Sequence, residues 1–124
     1  MRPPYAEQPM NGFSSILTAL GVEHIHLAYH YVDADDLDGY SSLLDATVQV
    51  NIPDLFQART RHEPRKFLAV GRRVVVLGKV HTEGPTMAVE FADVFTLSNE
   101  ALILRQHRYL FAGNISSQKE ESVR

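Results

Sequence analysis

The segment Val89-Glu-Phe-Ala-Asp-Val-Phe-Thr-Leu97 alternates as a strand does, with successive side chains on opposite faces. One face reads Val89, Phe91, Asp93, Phe95, Leu97, and the other Ala88, Glu90, Ala92, Val94, Thr96. The first is the more apolar and should face the interior, which puts the carboxyl of Asp93 in the middle of it. Ionisation in an apolar site is costly, so such a group must be paired, hydrogen-bonded or protonated. A carboxyl of this kind can act as a general acid or base near neutral pH. It can equally be the structural partner of a buried Arg or His, and the opposite parity would turn it to solvent.

Six histidines accompany it, at 24, 26, 30, 62, 81 and 107. His26 and His30 have the i, i+4 spacing of a zinc-protease helix, but Leu27 stands where that motif needs Glu. No third ligand is evident, which favours a surface or pocket-rim role over metal binding. His81 ends a β-branched run just before Thr82-Glu-Gly-Pro85. His107 and Arg108 are neighbours on a strand, so only one of them can face inward, and the pattern leaves that choice open. Tyr29 and Tyr40 could each donate a phenol hydrogen bond into a cavity or be core aromatics. The absence of cysteine excludes disulfides, thiolate ligands and thiol nucleophiles. No Gly-rich phosphate loop or G-x-S-x-G elbow is present, so nucleotide and serine-hydrolase chemistry have no support. The run Arg59, Arg61, Arg65, Lys66, Arg72, Arg73 could hold an anion or be a solvated face.

The elements that must position these groups fit a chain of 124 residues with net charge −3 and 44% hydrophobic residues. That size and composition predict one globular domain, and the charge argues against nucleic acid as a partner. No apolar stretch approaches the ~18–20 residues of a membrane span, and the first residues lack the apolar core of a signal peptide. A cytoplasmic location and no membrane partner are therefore expected. Residues 1–12 read as a flexible arm, 13–112 as the domain and 113–124 as a polar tail. Phe13, Ile16, Leu17 and Leu20 predict a helix that stops or kinks at Gly21. Val22, Ile25, Tyr29 and Val32 continue the helical stripe, and Asp33–Asp36 ends it and caps a second helix over 37–44. Alternation over 46–52 predicts a strand stopped by Pro53. Residues 54–66 read as a loop with a short helix. Strands over 72–81, 87–97 and 102–111 then predict an antiparallel meander, and helices followed by strands give an α+β class.

This order of features resembles a known superfamily. A helix ends in Tyr31-Val-Asp-Ala-Asp-Asp-Leu-Asp-Gly39, the short helix Tyr40-Ser-Ser-Leu-Leu44 follows, and Asp45-Ala-Thr-Val48 opens a strand. Phe91-Ala-Asp-Val-Phe-Thr-Leu97 and Arg108-Tyr-Leu-Phe111 close the domain. Over residues 13–112 this resembles the nuclear transport factor 2-like superfamily, the SnoaL-like or ketosteroid isomerase-like fold. The resemblance implies a cone, in which a curved antiparallel sheet wraps around helices and encloses a pocket. It also implies homodimers packed through the outer sheet face. The superfamily includes cyclases, isomerases, epoxide hydrolases, dehydratases and binding modules, and fold alone does not choose among them.

Carried over residue by residue, Asp93 matches the oxyanion-binding Asp of ketosteroid isomerases. The place of their general base holds Val50 or Asn51, and that of their oxyanion Tyr falls on Ala28, beside Tyr29. The polyketide-cyclase pattern is matched better, by Gly78-Lys-Val-His81, Gly84 and Asp93. That match implies that Asp93 removes a proton from an activated methylene and returns one to the new alkoxide. His81 would orient or polarise, with no metal or cofactor needed. Tyr29, Tyr40, Val50, Phe91, Phe95 and Arg108 would bind an apolar small molecule. Asp93 and Arg108 would also supply two members of the Asp-Arg-Asp set of limonene-type epoxide hydrolases, though the second strand Asp is missing. Residues 66–72 run almost directly into the next strand, where the superfamily has a longer helix and an extra strand. The reading is a cofactor-independent polyketide cyclase or isomerase. Its alternatives are a non-catalytic binder of an apolar biosynthetic intermediate and a dimeric interaction module. A cavity of several hundred Å3 beside Asp93 separates the first two from the third.

Overall fold

The computed structural model describes residues 13–48, 60–82 and 88–111. Helix α1 spans Ser15–Asp33, and the Ser14 side chain accepts the Leu17 N–H at its start. Capping of this kind satisfies one of the donors every helix start leaves open. The helix runs unbroken through Gly21, where a stop or kink was expected. Gly21 is buried, and a Cβ there would strike the Leu97 side chain. Glycine is therefore a packing device at this position, letting α1 lie close on the sheet. Ile25, Ala28 and Tyr29 form the buried stripe, while Ile16 and Leu20 at the first turns are exposed. Helix α2 is Leu37–Ser41, shorter than the predicted 37–44, and Asp36 caps it by accepting the Gly39 N–H at 2.8 Å.

Four strands follow: β1 Thr60–Val70, β2 Arg73–Thr82, β3 Val89–Leu97 and β4 Ile103–Phe111. They form one antiparallel sheet in the order β1-β2-β3-β4. This is the expected α+β class, an N-terminal helix against a curved meander, with two corrections. Residues 60–66, read as loop, belong to the eleven-residue β1. Their charge and Pro64 hid the strand, which lies at the sheet edge and has a bulge between Pro64 and Lys66. Edge strands and bulges tolerate a residue without an N–H. β1 also supplies the strand that seemed to be missing before the Val-rich run. The predicted strand over 46–52 is not seen in its described part. Leu44 makes an isolated parallel bridge to Ile103, and Asp45 turns the chain by accepting the Thr47 N–H at 2.9 Å. Val50 and the rest of that segment lie outside the described residues, as does the turn at Glu83-Gly-Pro85.

The inner sheet face carries Val74, Val76, Val80, Phe91, Phe95 and Leu97. They pack with Ile25, Ala28, Tyr29, Tyr40, Leu43 and Ile103 into one core. Each large side chain in such a core contributes roughly 1.5–3 kcal/mol through lost contact with water. No described helix is long and apolar enough to cross a membrane.

Candidate functional site

Parity along β3 puts Asp93 on the inner face, with no solvent exposure at all. Its neighbour in the ladder is Arg108 of β4, which settles the inward residue of the last strand in favour of Arg108 over the exposed His107. Arg108 donates to the carboxylate through both arms, Nε to Oδ1 and Nη2 to Oδ2, each at 2.7 Å. Tyr29, reaching down from α1, donates its hydroxyl to Oδ2 at 2.6 Å. Gln106 adds a long contact to Oδ2 at 3.4 Å, and Tyr40 of α2 donates to Gln106 Oε1 at 3.2 Å. The Arg108 guanidinium also lies over the Phe91 ring, 4.5 Å from its centroid. Phe95 meets Tyr29 edge to face at 6.1 Å.

The electrostatics follow from burial and pairing. Desolvation works against the Arg108 charge, but the hydrogen bonds and charge of Asp93 outweigh it and hold the pKa above the ordinary guanidinium value. Burial, then the Asp93 charge, pushes the Tyr29 hydroxyl far above the usual phenol range. The same two causes push Tyr40 up to about 12. Both phenols therefore stay neutral donors at physiological pH. Two of the five guanidinium N–H groups serve Asp93, and Arg108 also borders the space beside the pair.

That space is lined by Tyr29, Val32, Tyr40, His62, Phe95, Gln106 and Arg108. Among the described residues it amounts to about 10 Å3, room for one oxygen-sized group, where several hundred Å3 were expected. A hollow of about 260 Å3 lies along β2 and β3, beside Leu77, Gly78 and Phe91, but its polar residues Arg65, Lys79 and Glu90 are all at least partly exposed. The polar groups converge on the smaller one.

The residue that the sequence reading passed over is His62. β1 brings it to the cavity, with its side chain 3% exposed. Its Nδ1 lies 2.6 Å from Asp33 Oδ1, and its backbone N–H donates to Asp33 Oδ2 at 2.6 Å. Its ring sits 5.1 Å from that of Tyr29 and 5.7 Å from that of Phe91. Burial, aided by the Arg108 charge and opposed by Asp33 and Asp93, holds its pKa below the ordinary histidine value. Its sequence signal was only an alternation, Thr60-Arg-His-Glu, inside a run read as loop.

His81 is not brought to Asp93. Val74, Val76, Gly78 and Val80 occupy the inner face of β2, so His81 points outward. There its Nε2 pairs with Glu63 Oε1 at 2.9 Å. His81 and Arg65 together hold the Glu63 carboxyl down at about 2. Tyr29, Tyr40, Phe91, Phe95, Asp93 and Arg108 do come together. No group of His, Asp and Glu suited to a metal ion occurs among the described residues.

No protein-family model and no curated protein sequence matches the chain. Solved structures do. An NTF2-like protein of unknown function from Cytophaga hutchinsonii superposes with a TM-score of 0.63 at 12% identity, covering 73% of this chain and 89% of its own. TerC, co-crystallised with polyporic acid, gives 0.62 at 20% identity, covering 74% and 92%. SalBIII, an epoxide hydrolase/cyclase-like enzyme in pyran ring formation of the polyether salinomycin, gives 0.64 at 17%, covering 75% and 92%. At these identities the likeness is one of fold.

Proposed function

We propose that this chain, whose fold is NTF2-like, binds an apolar small molecule by a carbonyl or enol oxygen set against Arg108. On this reading it performs cofactor-independent proton transfer of the cyclase or isomerase kind. The observation that carries the reading is the buried Asp93–Arg108 pair facing a cavity with Tyr40 and His62. A charge pair in a core is weak evidence for stability, since apolar residues of similar volume often serve as well. A guanidinium bordering an oxygen-sized space stabilises developing negative charge there. Asp93 then keeps Arg108 and Tyr29 in place, with both carboxylate oxygens engaged, instead of meeting the ligand itself. The polyketide-like substrate class draws on SalBIII, which acts in pyran ring formation of the polyether salinomycin, and on TerC, which was co-crystallised with polyporic acid.

The test uses 2-naphthol, the aromatic counterpart of a ketone enol. It should raise the melting temperature of the wild type. Arg108→Lys keeps a cation beside Asp93 but loses the fork, and should weaken binding about tenfold, the weight of one charge-assisted hydrogen bond. Equal binding by both proteins would refute the assignment.

A second reading is favoured by the outer sheet face. Leu68, Val75, Val94 and His107 form one row across the strands, and Leu77, Ala92 and Tyr109 the next. Leu68, Tyr109 and Phe111 are about half exposed. Such a face suits a second copy of this chain, and the small inner cavity is what an interaction module would have. The two readings are compatible, since the site and the outer face lie on opposite sides of the sheet.

A further inference from the structure

We propose that the groove between α1 and the β1–β2 turn is a docking site for the chain's own N-terminal arm, with residues 5–10 laid along it as an apolar strap. The inference stands apart from the inner cavity and does not depend on what that cavity binds.

The groove holds about 610 Å3. One wall is the side of α1 that carries Ser15, Ala19, Val22 and Glu23, and the other is Ala69 and Gly71 where β1 turns into β2. The Thr18 hydroxyl donates to the Gly71 carbonyl at 2.9 Å and ties the two walls together. Ile16 and Val70, which adjoin these residues in the chain, are 78% and 80% exposed. Large apolar side chains gathered in water beside a groove mark an interaction site.

The chain that leads into the groove supplies an occupant. Phe13 lines its start. The Arg72 guanidinium lies over the Phe13 ring, 5.0 Å from its centroid, and also donates to Asn99. The point where residues 1–12 join is therefore fixed at the groove. The two residues before Phe13 are Asn11 and Gly12. Asn-Gly favours a tight reversal, because both residues accept left-handed backbone. A reversal there turns Met10 back over α1.

Pro3, Pro4 and Pro9 fix their own φ and bias the residues before them toward extended backbone. An extended strap advances about 3.1 Å per residue, so Met10 back to Tyr5 spans roughly 16 Å. The helix wall from Ser15 to Glu23 rises about 12 Å. The lengths match, with Met10 near Phe13 and Tyr5 at the Glu23 end. Met10 suits an irregular apolar groove, and the Tyr5 hydroxyl is a donor for the Glu23 carboxylate. The prolines also reduce the freedom that docking removes. The strap clasps the start of α1 to the sheet. Apart from the Ser14 cap, that start has no acidic residue in its first turn to favour the helix dipole.

Fluorescence of the full chain tests this. The sequence has no tryptophan, so Tyr5→Trp is a single reporter, and its indole N–H replaces the phenol donor. Its emission should lie to the blue of the urea-unfolded chain, and acrylamide should quench it less, at every protein concentration. Ala19→Arg places a long cation on an exposed position of the groove wall, where arginine is a good helix former. Added to Tyr5→Trp, it should restore quenching to the unfolded level. If Ala19→Arg does not fold, Gly12→Val, which disfavours the turn, takes its place with the same expected loss of protection. Unfolded-level quenching in Tyr5→Trp alone overturns the strap. Protection that the groove or turn variant leaves intact also overturns it, because the reporter is then buried elsewhere. Protection that appears only as concentration rises overturns the intramolecular occupant, since a second copy then covers the arm.

Discussion

Asp93 and Arg108 are register partners across the β3–β4 ladder, and the ladder aims both side chains at the same interior point. The carboxylate is wholly buried while the arginine side chain keeps 22% of its exposure. The pair is therefore asymmetric, with the anion sealed and the cation bordering the cavity.

Removing the anion should be expensive. Asp93→Asn leaves a largely buried guanidinium without its counter-charge, and losses of about 3–5 kcal/mol are typical for such half-broken pairs. Replacing both residues, Asp93→Leu with Arg108→Met, should recover most of that stability. Urea unfolding checks both. A single variant costing under about 1 kcal/mol would put the pair in the class of exposed ion pairs.

His62 makes stability depend on pH with a definite sign. Its folded pKa lies below the ordinary histidine value, so the unfolded chain binds more protons in the window between the two, and stability rises with pH there. The contribution of neutral His62 is complete above about pH 6.5 and is lost as pH falls through the folded value. The stability difference between wild type and His62→Gln should shrink on acidification. A difference that grew instead would mean a charged His62 paired with Asp33 in the folded state.

The outer face predicts association. Sedimentation should find the wild type dimeric, and Leu68→Glu or Tyr109→Glu, each at a half-exposed apolar position, should shift it to monomer without loss of fold. A wild type that remains monomeric at the highest soluble concentration removes that interface.

Gly21 predicts a conflict between local and tertiary preference. Alanine gains about 1 kcal/mol in helix propensity, but its methyl would collide with Leu97, which is fully buried. Overpacking costs about 1–3 kcal/mol, so Gly21→Ala should be net destabilising in urea. A stabilised variant would show that Leu97 can move aside.

Much of this arrangement was legible because it is periodic. The stripe Ile25, Tyr29 and Val32 marked the inner side of α1, and the parity of β3 put Asp93 inside. What stayed hidden lacks a period. β1 is an edge strand with a bulge and mostly polar residues, so it carries no alternating signature over its length, and His62 was hidden with it. Its partner Asp33 is 29 residues away, and pairing at that distance leaves no local trace. The His81 assignment failed for the opposite reason. Spacing along the chain put it close to Asp93, but inward valines fix the parity of β2, and that parity sends His81 to the far side of the sheet.

The measurement that tests the central claim most directly is the ionisation of 2-naphthol bound to the wild type, read from its fluorescence. Negative charge next to the Arg108 guanidinium is favoured, so the bound phenol should ionise at lower pH than it does in water. Ionisation at higher pH than in water would mean a dry cavity without a working cation, and would contradict the oxyanion role of Arg108.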